Sequence, residues 1–247
     1  MKTAAVRDGD EFVLNGQKPW TTLAQDATHM FCLARTAKEG KPQEGISFFL
    51  IDFKQPGVTI RPIRNIAGHE EFCEVFLDNV RVPADCLVGK INQGWTIAKA
   101  LLSFERIFLG SPKQSQFALM RLEEMAESSG KIKDPQFAES LTLLKIDVLD
   151  LIDSYQHFAD LVRAGKPLGP EVSLLKIWAT ETFSKITEVM VETAGPEGAT
   201  IGNIDFGGTQ VDVMSQFYNA RPATIYGGSN EIQRNILSKA VLGLPNA

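Results

Sequence analysis

Cysteine is scarce. Cys32, Cys73 and Cys86 are unevenly spaced and include no Cys-x-x-Cys pair, which excludes a disulfide framework or a thiolate zinc site. Histidine is equally scarce, and His29, His69 and His157 share no metal-ligand spacing, so no metal is expected. Positive charge is in deficit: 25 Lys and Arg against 30 Asp and Glu leave a net charge of −5. A chain that coats nucleic acid needs clustered cations, so nucleic acid is not an expected partner. No stretch approaches the ~18 consecutive apolar residues of a membrane span. The opening residues, Met1 to Asp8, lack the apolar core of a secretory signal. Together these absences lead us to expect a soluble protein of cytoplasmic type. Several reaction classes are also missing their signatures. There is no phosphate loop, no G-x-G-x-x-G after a strand and no G-x-S-x-G elbow.

What is present divides into two patterns. Hydrophobic residues make up 44% of the chain and charged residues 22%, enough to bury one large core or two ordinary ones in 247 residues. Up to about residue 90 the apolar residues come in short, alternating runs. Glu11 to Leu14, Asn15-Gly16 and Gln17 to Thr22 read as a hairpin, because Asn-Gly tolerates the positive φ of a tight turn. His29 to Arg35, Gly45 to Phe53, Val58 to Ile63 and Glu74 to Leu77 read as further strands. After Val82-Pro83 the period lengthens. Leu141, Leu144, Val148, Leu151, Tyr155, Phe158 and Val162 follow steps of three and four, placing them on one helix face. Gly94 to Met125, Val172 to Thr193 and Asn230 to Leu242 also read as helices. The expected fold class is therefore α+β. A small antiparallel β-barrel or sandwich occupies residues 1–90, and an antiparallel four-helix bundle occupies residues 91–247.

The sharpest motif is near the C-terminus, Ile225-Tyr226-Gly227-Gly228-Ser229-Asn230-Glu231-Ile232-Gln233-Arg234. Two glycines free the backbone, Ser229 suits a helix N-cap, and Glu231 falls in the first turn. Such a turn offers backbone N–H groups to an anion or polar atom, although a capped final helix would read the same.

This run, ending in Val241-Leu242-Gly243-Leu244-Pro245, closely resembles the C-terminal signature of acyl-CoA dehydrogenases. The β half agrees in order: Asn15-Gly16-Gln17-Lys18-Pro19-Trp20-Thr21-Thr22, Gly45-Ile46-Ser47-Phe48-Phe49-Leu50, Val80-Arg81-Val82-Pro83 and Gly94-Trp95. Within the family the chain is most similar to bacterial two-subunit enzymes of the pimeloyl-CoA dehydrogenase large-subunit type. The resemblance implies the middle β domain and C-terminal helical domain of a three-domain enzyme, with the N-terminal helical domain absent from this chain. It also implies FAD as cofactor, an acyl-CoA substrate and an electron-transfer flavoprotein or similar acceptor. The implied assembly is a homotetramer or dimer, or a hetero-oligomer with a second family subunit.

Site residues follow from the same resemblance. One branch of the family carries its base as a Glu in a Tyr-Glu-Gly-Thr version of the C-terminal motif, where this chain has Gly227. Another carries it in a Glu-Arg pair on the first bundle helix, matched here by Ser103-Phe104-Glu105-Arg106. Glu105 is thus the candidate base, walled by Phe104 and Phe108, with an exposed helical glutamate as the plain alternative. Arg106 and Gly227 are the candidate substrate contacts. Trp20, Thr22, Gly195, Gly198, Ser229 and Glu231 are the candidate cofactor contacts. Trp20 could equally be core packing, and Gly195 and Gly198 a helix stop. The family's Arg-x-Thr-Phe-Gly segment has no counterpart here, and only Arg121 and Lys131 offer charge in that region. Two other readings stay open: a non-catalytic family-fold subunit, and a family-fold flavin monooxygenase that would not need Glu105.

Overall fold

The computed structural model describes residues 1–245, except the side chains of Leu102, Ser103, Phe104 and Arg106. The chain forms two compact units, Met1–Leu102 and Ser103–Ala247.

In the first unit a single sheet holds seven strands: β1 (Ala4–Asp8), β2 (Glu11–Thr22), β3 (His29–Arg35), β4 (Ile46–Asp52), β5 (Val58–Ile63), β6 (Phe72–Pro83) and β7 (Leu87–Val88). Their order is β5-β6-β2-β1-β3-β4-β7. The expected hairpin is displaced. Asn15 and Gly16 lie inside the 12-residue strand β2, and the tight turn falls at Gly9-Asp10, between β1 and β2. Gly16 is needed for a different reason than turning. It sits at a register shift against β6 with φ of 146°, where a Cβ would stand 2.7 Å from Thr3 Cα.

The barrel-or-sandwich expectation also needs correction. Among the described residues the edge strands β5 and β7 do not pair, so the sheet is open, and β1 joins β3 in parallel at Ala4 and Arg35. Pro62 removes one ladder donor from β5, and β7 is only two residues long, so neither edge can close the sheet. The sheet nonetheless curls. Phe12 on β2 and Phe49 on β4 are separated by two strands in the sheet order, yet their rings meet edge-on with centroids 5.0 Å apart. Around them Leu14, Ile51, Cys73, Val75 and Val80 are fully buried.

The helical part of the chain, whose first helix begins before residue 102, differs in detail from four helices. The stretch Gly94 to Met125 is broken at Gly110-Ser111-Pro112 into α1 (Gly94–Leu109) and α2 (Lys113–Ser129). The proline lacks the N–H that a continuous helix needs. Then follow α3 (Pro135–Arg163), α4 (Ser173–Ala194), a small hairpin of β8 (Ile204–Phe206) and β9 (Thr209–Val211), α5 (Val213–Ala223) and α6 (Asn230–Ala240). Helix α4 is the hub, packing against α2, α3, α5 and α6. Ile186 and Met190 of α4 are fully buried with Leu122 and Met125 of α2. Leu141, Leu144, Val148, Leu151 and Phe158 of α3 are buried as the helical period predicts, while Tyr155 is only half-buried and Val162 is exposed.

Helix α5 begins at an Asp212 N-cap whose side chain accepts from the Ser215 N–H at 2.9 Å. Replacing such a cap by alanine typically costs about 1 kcal/mol. Asp212→Ala should lower the unfolding free energy by that amount, seen as a lower urea midpoint at unchanged m-value, and an unchanged midpoint would show the cap to be idle.

Candidate active site

Helix α1 carries Glu105, which is exposed and makes no ion pair among the described residues. On the same helix Phe108 is 76% exposed, a large apolar side chain left mostly in solvent. Ile107 faces the other way and packs with Leu151, Phe158, Val172, Leu175 and Ala179. That packing fixes the helix rotation and leaves Glu105 and Phe108 on the open side. Arg106 and the Phe104 wall lie outside the described residues.

Leu109 lies four residues beyond Glu105 and so shares its face. It abuts Gly227: a Cβ at that glycine would overlap Leu109 Cδ1, and Gly227 has φ of +64°. The last turn of α1 and the Tyr226-Gly227-Gly228 turn are therefore neighbours. A side-chain carboxylate at 227 would meet both a left-handed backbone and Leu109. Gly227→Glu should cost about 1–2 kcal/mol of stability. Adding Leu109→Ala should recover only the steric part, as read by thermal unfolding, and full recovery would show that the backbone conformation contributes nothing.

The turn is anchored from below by a polar cluster that sequence reasoning missed. Lys176 on α4 is fully buried and donates to Asn230 Oδ1 at 2.7 Å. Asn230, itself 2% exposed, donates to Thr180 Oγ1 at 3.1 Å and to Glu181 Oε1 at 3.1 Å. Arg234 donates to the same Glu181 oxygen at 2.7 Å. Burial pushes Lys176 down to about 8, against the opposing pull of Glu231 and Glu181. Asn230 is in the motif but looks like an ordinary first-turn polar residue, and Lys176 looks like a surface cation. Only their 54-residue separation in sequence, closed by folding, reveals the pair.

Ser229 occupies the N-cap position of α6, but its side chain does not cap the helix backbone. Hydrogen bonding from Ser229, then from the Glu231 N–H, holds the Glu231 carboxyl below its ordinary value, with Arg234 and Lys176 adding to the effect.

In the first unit Trp20 is not core. It is 65% exposed, has φ of 62° and sits where β2 shifts register against β6, touching Phe72 edge-on at 6.1 Å. A bulky residue held in left-handed backbone with its ring in solvent is a pattern that structural packing does not explain. Thr22 is exposed two residues later, and its hydroxyl has no partner among the described residues.

Gly195 closes α4 as its C-cap with φ of 61°, and Gly198 is buried, with a built Cβ 2.8 Å from Val191 O. Both glycines stand at the opposite end of α4 from Lys176, about 28 Å away at 1.5 Å per residue. Within one chain they do not join the Gly227–Glu231 turn. Arg121 is also committed elsewhere, donating to Gln210 O at 2.6 Å and pairing with Glu124, while Lys131 pairs with Asp134. Among the described residues no His, Cys, Asp and Glu cluster could hold a metal ion. No described helix is long and apolar enough to cross a membrane.

Comparison with known proteins matches residues 1–80 to the acyl-CoA dehydrogenase middle domain and residues 92–242 to the acyl-CoA dehydrogenase C-terminal domain. The chain belongs to the acyl-CoA dehydrogenase family. Acyl-CoA dehydrogenase IpdE1 of Mycobacterium tuberculosis is 39% identical over 98% of the chain, which spans 62% of that relative's length. Among solved structures, the Tcur3481-Tcur3483 steroid ACAD superposes with a TM-score of 0.91 at 24% identity, over 100% of this chain and 64% of that one. The ChsE4-ChsE5 complex from Mycobacterium tuberculosis gives a TM-score of 0.78 at 26% identity, over 100% of this chain and 65% of that one. The family match and the α+β architecture thus agree with the resemblance carried by the motifs.

Proposed function

We propose that this chain carries the β-domain and helical-domain parts of an FAD-dependent acyl-CoA dehydrogenase that α,β-desaturates an acyl-CoA thioester. The observation that carries this reading is the neighbourhood of α1 and the glycine turn. An exposed carboxylate, Glu105, shares a helix face with Leu109, and Leu109 abuts a turn in which the N–H groups of Gly227 and Gly228 have no acceptor among the described residues.

FAD, when bound, supplies the acceptor for the hydride that leaves the β-carbon. The residues fit such a group. Trp20 offers an exposed aromatic face, Thr22 a free hydroxyl, and Ser229 and Glu231 a polar helix N-terminus. Gly195 and Gly198, at the far end of α4, fit a contact with the nucleotide part of a second copy's cofactor. Glu105 takes the α-proton, and its carboxylate becomes a carboxylic acid while the negative charge develops on the thioester oxygen. The Gly227 turn donates to that oxygen through backbone N–H groups, stabilising the enolate as it forms. Phe108, beside Glu105, and Arg106 would line the acyl-CoA path. The assembly would be a homo-oligomer or a pair with a second family subunit, as in the hetero-complex of the ChsE4-ChsE5 structure, passing electrons to a flavoprotein acceptor.

The test is spectroscopic. Purified protein should carry oxidised-flavin absorbance that bleaches without oxygen on adding straight, branched or ring-bearing acyl-CoAs. Colourless protein that stabilises flavin only in a co-expressed family subunit would favour the non-catalytic reading. Oxygen-dependent hydroxylation of product would favour the monooxygenase.

A further inference from the structure

We propose that Gln233 is a positioning residue that turns two peptide groups of the Gly227-Gly228-Ser229 segment so that the N–H groups of Gly228 and Ser229 face a ligand oxygen. The inference rests on the proposed function and deepens it. Gln233 lies one turn into α6, is 3% exposed, and reaches back over the helix start. Its Nε2 donates to Gly227 O at 3.1 Å and to Gly228 O at 3.4 Å. Among the described residues no peptide bond is cis, and in a trans peptide the C=O of one residue and the N–H of the next point in opposite directions. Drawing the two carbonyls inward therefore drives the N–H groups of Gly228 and Ser229 outward. Among the described residues nothing accepts from either, and Gly227 and Gly228 are exposed.

Two convergent N–H groups at the positive end of a helix accept a polarised or anionic oxygen. That oxygen comes from the thioester carbonyl of acyl-CoA or from the polar part of the flavin. Glutamine suits the role because it donates without bringing a charge. The free Gln233 Oε1 is buried without a partner, so the amide is held by the two carbonyls alone.

The experiment uses the two Gly-Gly pairs of the chain, Gly207-Gly208 and Gly227-Gly228. Protein labelled with 13C-carbonyl and 15N glycine gives one carbonyl-to-amide correlation for each pair. In the ligand-free full chain, Gln233→Met should move the Gly227-Gly228 signal and leave that of Gly207-Gly208 in place. Should the methionine variant not fold, Gln233→Leu serves equally, because an aliphatic side chain cannot donate to a carbonyl. In the unmodified chain, FAD and a non-reacting acyl-CoA analogue are added separately. The one whose oxygen is held should shift the Gly228 amide and should bind ~10-fold more weakly to the variant, the effect of about 1.4 kcal/mol from lost hydrogen bonds. An unmoved Gly227-Gly228 signal in the variant overturns the inference. So does a moved signal with unchanged ligand affinity. Silence of the Gly228 amide to both ligands, in protein that acyl-CoA still bleaches, overturns the inference and leaves the proposed function standing. Protein that binds neither ligand overturns both.

Discussion

Glu105→Gln should lower the rate at which acyl-CoA bleaches the flavin-loaded enzyme by ~100–10,000-fold, the usual contribution of a general base, since Glu105 is the one carboxylate in the sequence of α1. Flavin content should be unchanged, since Glu105 is not among the residues assigned to hold it. Reduction by dithionite should also proceed at the parent rate, as it needs no proton abstraction. Glutamine keeps the shape of glutamate and Glu105 is exposed without an ion pair among the described residues, so a folding defect is not expected. The split between acyl-CoA and dithionite separates a lost base from a damaged protein. If both reductants slow together, the residue acts on structure and another base must be sought.

The second large effect lies beneath the turn. Asn230→Ala removes the acceptor of the fully buried Lys176 ammonium and the donor to Glu181 in one step. A buried charge stripped of its partner costs about 3–5 kcal/mol, and urea unfolding should show a loss of that size. Adding Lys176→Met to the same variant should restore a large part of it, because the charge that needed Asn230 is then gone. The pH dependence gives an independent check. Lys176 is held at about 8 in the folded chain against an ordinary value of 10.5, so between those limits the unfolded chain binds more protons. Stability carried by this group therefore rises with pH through that window. Measured against Lys176→Met, the unmodified chain should gain roughly 2 kcal/mol between about pH 7 and about pH 9.5, at about 1.4 kcal/mol per unit of pH. A difference that stays flat across the window would mean that Lys176 titrates as an exposed lysine.

Parts of this architecture were legible in the chain and parts were not, for identifiable reasons. Strands β3 and β5 match their expected bounds because alternating apolar residues are cut off sharply by polar or Pro-Gly turns. Helix α4 was legible from its apolar run and its Gly195 stop. Asn15-Gly16 misled because the dipeptide satisfies two different demands, a tight turn and a close backbone approach, and Thr3 imposes the second. Helix α5 was not among the expected helices: it is only 11 residues long, and Pro222 in its last turn removes one intrahelical donor, the one that would serve Tyr218 O. The site divides in the same way. The Gly-Gly-Ser-Asn-Glu run is contiguous and could be read directly, and Glu105 followed from its matching place on α1. Lys176 and Gln233 could not be read, since their roles exist only through partners that folding brings near. Trp20 was ambiguous between core and cofactor face until its exposure and positive φ excluded the core.

The central claim is that the carboxylate on α1 works on a substrate whose thioester oxygen lies at the glycine turn. Its most direct measurement is exchange of the α-proton of a bound acyl-CoA analogue that cannot lose a β-hydride, followed in D2O on flavin-loaded protein. The account predicts exchange in the parent protein, its loss in Glu105→Gln, and a marked slowing in Gln233→Met, where the base is intact and the oxygen is less well held. Exchange that continues at the parent rate in Glu105→Gln would contradict it.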